Sequence, residues 1–411
     1  MTEKNWLKGI LIVTGIVVAL AVVALEGHAQ SNEGYLYGKV YTNRDTYIGP
    51  IRWGGEEVMW TDLFNASKVD NNFVKMVPKE EQKEWWQEYD WSFSGIWRVK
   101  GTTHQFNIQF GNIKELNDLH SDEVTMKLKN GVDIRIDGSG TNDVGSSVQV
   151  LDDELGVVSI PWDRLTRIEF LPTPEKLDKV FGLPLFGTVE GMRREKYTGY
   201  VVWDNDERLQ GDKLDGESND GDVSIKFADI ESIEKEARGC RVKLKSGREV
   251  YLSGTNDVNS GNRGVWVAHP EYGVIKFSWD GFRKIQFEKV NAKPQSYSQF
   301  PTPSGIIGSV SLLDGDEYKG RIIYDVDESL DMEHIEGREN DIEYQIPIRL
   351  IKRITPKNFD YSLIELRSGK SLLLGGMRDV SDGNSGLLVF PKGKKEPVHI
   401  SWKKINEIVF N

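Results

Sequence analysis

The strongest constraint on the fold is a segment that occurs three times along the chain. Each copy contains a Trp, a short turn and a final stretch that ends in Phe, and the copies run from Gly156 to Phe170, Gly273 to Phe287 and Pro397 to Phe410. The three tryptophans occupy the same place in each copy: Trp162, Trp279 and Trp402. Such self-similarity predicts tandem structural units, in which an aromatic side chain at a fixed position is a core anchor.

Two further blocks recur upstream of each Trp segment, always in the same order. The opening blocks are residues 36–49, 185–199 and 306–320, and the central blocks are residues 124–143, 242–257 and 364–379. Three blocks in a constant order indicate three copies of one unit. The first copy is longer than the others, which predicts an insertion at about residues 66–103.

The joints between the units also resemble one another. Pro172-Thr173-Pro174 and Pro301-Thr302-Pro303 follow finished units, and such sequences favour extended, semi-rigid spacers. The predicted division is unit one at 36–171, a linker at 172–184, unit two at 185–288, a linker at 289–304 and unit three at 305–411.

Within a unit the apolar residues alternate with polar ones. Val242, Leu244, Val250 and Leu252 show this pattern on either side of Lys245-Ser246-Gly247-Arg248, as expected for a half-buried hairpin. The predicted class is therefore all-β, with three tandem repeats that are each a barrel-like or sandwich unit. A short helical insertion is expected in the first repeat only.

The end of each unit is an apolar strand, a short turn after Trp and a last strand that ends in Phe. This ending resembles the last part of small SH3-like or Sm-like barrels. The resemblance implies that a unit is either two fused small barrels or one ten-stranded sandwich. It concerns the fold alone and implies no activity, because such folds serve many functions.

The N-terminus has the layout of a secretory signal peptide at residues 1–29. Lys4 and Lys8 precede the apolar run Ile10 to Leu25, and small residues at Gly27 and Ala29 suit a cleavage site. The alternative is an uncleaved membrane anchor formed by residues 9–25. Either interpretation places the residues after Gln30 outside the cytoplasm. The predicted protein is secreted or periplasmic, and the membrane-anchored form is the alternative.

The charge balance bears on partners. The chain has 52 Lys and Arg against 64 Asp and Glu, a formal charge of -12. Nucleic acid is not an expected partner, because binding phosphates requires a basic face. The remaining candidates are a protein or a glycan, and a membrane only through an uncleaved N-terminal segment.

Cys240 is the only cysteine, so the chain can form no internal disulfide and no thiolate metal cluster. It precedes a predicted strand, which favours a buried and unreactive thiol.

Acidic loops are the candidate metal sites. One contains Asp204, Asp206 and Glu207, and its counterpart in the third unit contains Asp325, Asp327 and Glu328. Clustered carboxylates are the ligands that Ca²⁺ prefers, although the spacing does not follow an EF-hand. The alternative is a solvated, turn-forming loop. No other cofactor is expected.

A second recurring loop contains Thr-Asn-Asp-Val at residues 141–144 and 255–258, with Met377 to Val380 in the third copy. Its side chains can satisfy backbone groups of the loop, or they can contact a ligand or an ion.

The insertion concentrates aromatic residues and is the candidate ligand-binding segment. Pro78 followed by acidic residues suits a first helical turn. Its candidate binding residues are Trp85, Trp86, Tyr89, Trp91 and Trp97. The aromatic face of the predicted helix either docks on the first unit or is exposed and binds a protein or sugar rings.

The sequence contains no GxSxG, P-loop, GxGxxG or HExxH motif. We therefore expect a binding or structural protein and not an enzyme. The alternatives are a carbohydrate-binding or carbohydrate-active protein that uses the insertion, and a calcium-dependent adhesion module.

Overall fold

A computed structural model of the chain describes residues 31–80, 105–119, 121, 123–290 and 293–411. The prediction of an all-β protein is confirmed, because the described residues form mainly strands joined by turns and short 3-10 segments, with no helix of seven residues or more. Lys79 and Glu80 are helical, directly after Pro78, and the rest of the predicted helical insertion lies outside the described residues. No helix in this part of the chain is long and apolar enough to cross a membrane. The signal peptide or anchor at residues 1–29 lies outside the described residues.

The strands fall into three groups of ten along the chain. The first group is β1 Tyr37–Thr42, β2 Thr46–Trp53, β3 Leu63–Lys68, β4 Gln105–Gln109, β5 Ile113–Asn117, β6 Glu123–Leu128, β7 Asp133–Asp137, β8 Val148–Asp152, β9 Gly156–Ile160 and β10 Leu165–Phe170. We call β1 to β10 the first segment.

The second segment is β11 Phe186–Gly191, β12 Lys196–Trp203, β13 Lys213–Ser218, β14 Gly221–Lys226, β15 Ile230–Glu236, β16 Gly239–Leu244, β17 Glu249–Leu252, β18 Val265–His269, β19 Gly273–Phe277 and β20 Phe282–Phe287. The third segment is β21 Ile307–Leu312, β22 Glu317–Ile323, β23 His334–Glu339, β24 Ile342–Pro347, β25 Ile351–Pro356, β26 Tyr361–Leu366, β27 Ser371–Gly375, β28 Leu387–Pro391, β29 Val398–Ile400 and β30 Ile405–Phe410.

The antiparallel pairings divide the first segment into two sets of five strands. In one set β1 pairs with β2 and β10, β2 pairs with β8, and β8 pairs with β9. In the other set β3 pairs with β4 and β7, and β6 pairs with β5 and β7. The pair β5 and β10 joins the two sets. The second set is therefore inserted between the second and third strands of the first.

The corresponding pairings occur in the other two segments. One of them is reduced to a single bridge in the second segment, between Glu217 and Ser253. In the first segment a 3-10 turn precedes one strand of each set, Phe110–Asn112 before β5 and Trp162–Arg164 before β10. The choice between two fused small barrels and one ten-stranded sandwich for each unit stays a prediction. The domain boundaries stay a prediction.

The predicted hairpins are present, as Val242 lies opposite Val250 between β16 and β17. One core is formed mainly by the first segment and also includes Tyr297 and Phe300 of the second linker and Leu330 and Met332 of the third segment. A second core is continuous across the second and third segments. Of the recurring tryptophans, Trp279 and Trp402 are buried and Trp162 is half-buried. The first two therefore act as the core anchors that the sequence predicts.

Candidate functional site

Each acidic loop is a tight turn in which two consecutive residues have positive φ. The pairs are Asp204-Asn205, Asp325-Val326 and, in the first segment, Gly54-Gly55. Left-handed backbone favours Gly, Asn and Asp, so the glycines of the first segment meet the same backbone requirement as the aspartates elsewhere. These backbone angles give the acidic loops a structural role as tight turns.

The carboxylates of these turns contact basic side chains. Asp206 accepts from Nη2 of Arg263 at 3.0 Å, and Asp204 lies 3.4 Å from the same atom. Asp325 lies 2.7 Å from Nε of Arg378. Asp327 lies 3.2 Å from Nζ of Lys68, which belongs to the first segment.

The pKa values of two glutamates in these turns are raised. Burial raises the pKa of Glu207 to about 8, and burial likewise raises the pKa of Glu328 well above its ordinary value. Within the described residues no group of three or more His, Cys, Asp or Glu is arranged to hold a metal ion. The calcium hypothesis for Asp204, Asp206, Glu207, Asp325, Asp327 and Glu328 stays a prediction.

The aligned aspartates of the second recurring loop cap a neighbouring strand. Asp143 accepts from the backbone N–H of Asn65, Asp257 from that of Asp215, and Asp379 from that of Glu336. Their backbone carbonyls in turn accept from the buried ring donors of Trp53, Trp203 and Tyr324. The loop therefore ties the second strand of each segment to the third, which is a folding role.

The candidate ligand-binding residues Trp85, Trp86, Tyr89, Trp91 and Trp97 lie outside the described residues. Residues before them are described. Asn71 donates to the backbone carbonyl of Val326, and Val77 is buried against Val326 and Leu388. The start of the insertion thus contacts the third segment.

Cys240 is fully buried, and burial raises the pKa of its thiol to about 12. The expected buried thiol is therefore present, and a thiolate at neutral pH is excluded.

The segments are held together by buried charges between them. Arg208 of the second segment donates to Glu57 of the first at 3.0 Å and lies 3.6 Å from Asp62. Lys68 of the first segment contacts Asp327 and Glu333 of the third. All of these side chains are at most one tenth exposed, so largely buried charge pairs connect the segments.

A cavity of about 620 Å³ lies where the three segments and the second linker meet. Thr61 and Asn112 come from the first segment, Tyr200 and His269 from the second, and Met332 from the third. The linker contributes Lys293 and Phe300, among other residues. Volumes of this size accommodate small organic molecules.

The cavity wall is mostly apolar and contains no acidic side chain among the described residues that line it. Arg349 and Lys293 are its cations. Arg349 is paired with Asp331 at 3.0 Å, and Lys293 with Glu33 at 2.6 Å, and neither acid lines the cavity. In a chain with 64 acidic residues, an acid-free wall disfavours a cationic ligand and suits a neutral or anionic one.

Three buried polar atoms of this wall have no hydrogen-bond partner among the described residues. They are Oγ1 of Thr61, Oδ1 of Asn112 and Nε of Arg349. Buried polar atoms normally have partners, so the wall retains hydrogen-bonding capacity.

The sequence did not indicate this cavity. The sequence predicts a spacer at residues 289–304, yet the Tyr297 ring packs at a tilt against Trp60, with ring centroids 4.5 Å apart, and its hydroxyl donates to the carbonyl of Ile113. The aromatic residues Tyr297 and Phe300, so close to the Pro-Thr-Pro joint, are the signal that could have revealed a packed linker.

Comparison of the chain with protein-family models, curated proteins and solved structures found no match.

Proposed function

We propose that this chain is a secreted or periplasmic binding protein without catalytic activity, which holds a small, largely apolar molecule between its three β segments. The observation that carries the proposal is the cavity at the junction, because its wall needs all three segments and the second linker. The buried pairs of Arg208 with Glu57 and of Lys68 with Glu333 support it, since they hold the wall in place before a ligand binds.

The proposal includes the architecture of the units. In the first segment each five-stranded set has one strand that follows a 3-10 turn, and the first strand of each set pairs with both the second and the last. We take each set to be an SH3-like barrel, so a unit is a pair of such barrels with one inserted in the other. In this scheme the barrels are filled by side chains, and the ligand binds between units.

The expected ligand is a neutral or anionic molecule with an apolar body. Phe186, Tyr200 and Phe300 line the cavity and provide apolar contact area, and acidic side chains are absent from the described lining. Calorimetric titration of the chain from Gln30 onward with octanoate, 1-octanol and octylammonium tests this, because the three share one alkyl body. We expect the first two to bind and the cation to bind least.

A blocking variant locates the binding. Ala268 lines the cavity, so Ala268→Trp fills it and should weaken octanoate binding by about tenfold or more. The control is Val132→Trp, which adds the same ring at an exposed turn of the first segment. Equal binding by both variants would place the ligand elsewhere, and no binding of any probe by the wild type would contradict the proposed function.

The compartment is tested separately. Expression of the full chain in a Gram-negative bacterium, followed by fractionation and mass measurement, should give a periplasmic product that begins at Gln30. A full-length product in the membrane fraction would favour the anchor formed by residues 9–25.

A further inference from the structure

A pair of strands joins the second segment to the third. The first and second segments contain the counterparts of these two strands. β19, the ninth strand of the second segment, pairs antiparallel with β24, the fourth strand of the third. The register places Val274 opposite Gln345 and Ile275 opposite Tyr344. This ladder makes the sheet continuous across the two segments.

β9 is the counterpart of β19 in the first segment, because both begin with Gly-Val and precede the recurring Trp. Among the described residues β9 pairs with β8 alone. The exposed fraction of Val157 is 56%, whereas that of its counterpart Val274 is 4%. Leu155, just before β9, is 69% exposed, and its counterpart Tyr272 is buried. β9 is thus an apolar strand edge without a partner in the described part of the chain.

β14 is the counterpart of β24 in the second segment, by its place as fourth strand and its pairing with the third. In the described chain it pairs with β13 only. Val223 is half-buried and Ser224 is exposed, whereas their counterparts Tyr344 and Gln345 are buried. β9 and β14, the counterparts of β19 and β24, therefore each have one edge that is unpaired among the described residues.

The equivalent edge in the third segment is protected. β29 has only three residues and follows Pro397, and three lysines lie just before it, at 392, 394 and 395. Short strands, proline and lysine are the features that keep sheet edges from pairing. β9 is longer, with five residues, and contains neither proline nor lysine, and the charges just before it are the acidic side chains of Asp152, Asp153 and Glu154.

We propose that β9 of one copy of this chain pairs antiparallel with β14 of a second copy. The register of the β19 and β24 ladder, transferred to these strands, places Val157 opposite Ser224 and Val158 opposite Val223. The contact forms between copies, since the buried pair of Arg208 and Glu57 fixes the first two segments with both edges free. Because the two surfaces differ, the contact is heterologous, and it gives a closed ring or a growing chain of copies. This proposal is independent of the cavity.

Sedimentation of the full-length mature chain over about a hundredfold range of concentration tests the association. We expect the average mass to rise at least twofold toward high concentration, and Val157→Lys to hold it at the monomer value. The control is Val132→Lys, which makes the same change in charge at an exposed turn and should associate like the wild type. A wild type that stays monomeric, or a Val157→Lys variant that associates equally, would overturn the proposal.

Cross-linking tests the register and identifies the partner strand. Cys240 is buried, so an introduced thiol is the only reactive one. Val157→Cys and Ser224→Cys proteins, mixed and oxidised, should form a reducible heterodimer in much greater yield than Val157→Cys mixed with Asp220→Cys. Equal yields would mean that β14 is not the partner, and the proposal would fail. Thermal melts of each variant show that the loss of association does not come from unfolding.

Discussion

Nη2 of Arg208 lies 3.0 Å from Oε1 of Glu57, and both side chains are buried although they come from different segments. Breaking such a pair leaves a charge in a site without water, whereas replacing both partners removes the cost together with the contact. The pair therefore explains how two segments can be fixed to each other by charge.

Arg208→Met should lower the free energy of unfolding by about 3 to 5 kcal/mol. The double variant Glu57→Met with Arg208→Met should be less destabilised than Arg208→Met alone. Urea denaturation of the three proteins measures both values. Arg241→Met is the control, since Arg241 and its partner Glu236 are exposed and their loss should cost about 1 kcal/mol or less. A double variant no more stable than Arg208→Met alone would show that the charge left on Glu57 is not the source of the loss.

His334 should make the protein less stable in mild acid. Burial lowers the pKa of His334 to about 4, and its Nδ1 donates to the carbonyl of Asn107 in the first segment. A lowered pKa means that the unfolded chain binds the proton first, so this contribution is complete above the ordinary pKa of about 6.5 and is lost as the pH falls toward 4. We expect His334→Gln, compared with the wild type by urea denaturation from pH 7.5 to 4.5, to remove part of the acid destabilisation. Parallel pH curves would contradict this.

Glu207 should act with the opposite sign. Its pKa is raised to about 8, first by burial and then by the nearby charge of Asp257. The folded protein therefore retains the proton that the unfolded chain releases above pH 4.5, and the stability due to Glu207 falls as the pH rises from 4.5 to 8. In Glu207→Gln this fall should be absent, so the variant should gain on the wild type between these limits. The same denaturation series detects it, and a variant that loses on the wild type as the pH rises would rule it out.

Tyr324→Phe isolates one hydrogen bond of the recurring loop. The phenol is buried and donates to the carbonyl of Asp379, which also accepts from the side chain of Asn384. Because the carbonyl keeps one partner and the ring keeps its volume, the variant should lose only about 1 kcal/mol of unfolding free energy. Tyr324→Ala serves for comparison, and we expect it to cost about 3 to 5 kcal/mol because it leaves a cavity. Similar losses in the two variants would mean that the hydrogen bond and not the ring dominates.

The local part of the fold could be predicted from sequence, and the long-range part could not. The hairpin from Val242 to Leu252 follows from period-two alternation and a glycine turn, both of which lie within a few residues. The pairing of Ser67 with Asp137 joins positions separated by the insertion, and no local pattern encodes it. The burial of Arg208 was also not predictable, because charged side chains are usually exposed to solvent. The cavity was not predictable for the same reason as the interfaces, since its wall exists only after three segments have packed.

The calcium hypothesis predicts that the acidic turns bind Ca²⁺, and their present partners allow a sharp test. Arg263 contacts Asp204 and Asp206, and Arg378 contacts Asp325, so a calcium ion would have to displace a guanidinium from each turn. Extracellular calcium modules are occupied at about 1 mM Ca²⁺. We therefore expect the melting temperature of the mature chain to be the same at this Ca²⁺ concentration as in EDTA. In Arg263→Gln the two aspartates lose their cation, and Ca²⁺ should then raise the melting temperature. A rise of several degrees in the wild type would instead support the turns as calcium sites, because a ligand that binds only the folded state must stabilise it.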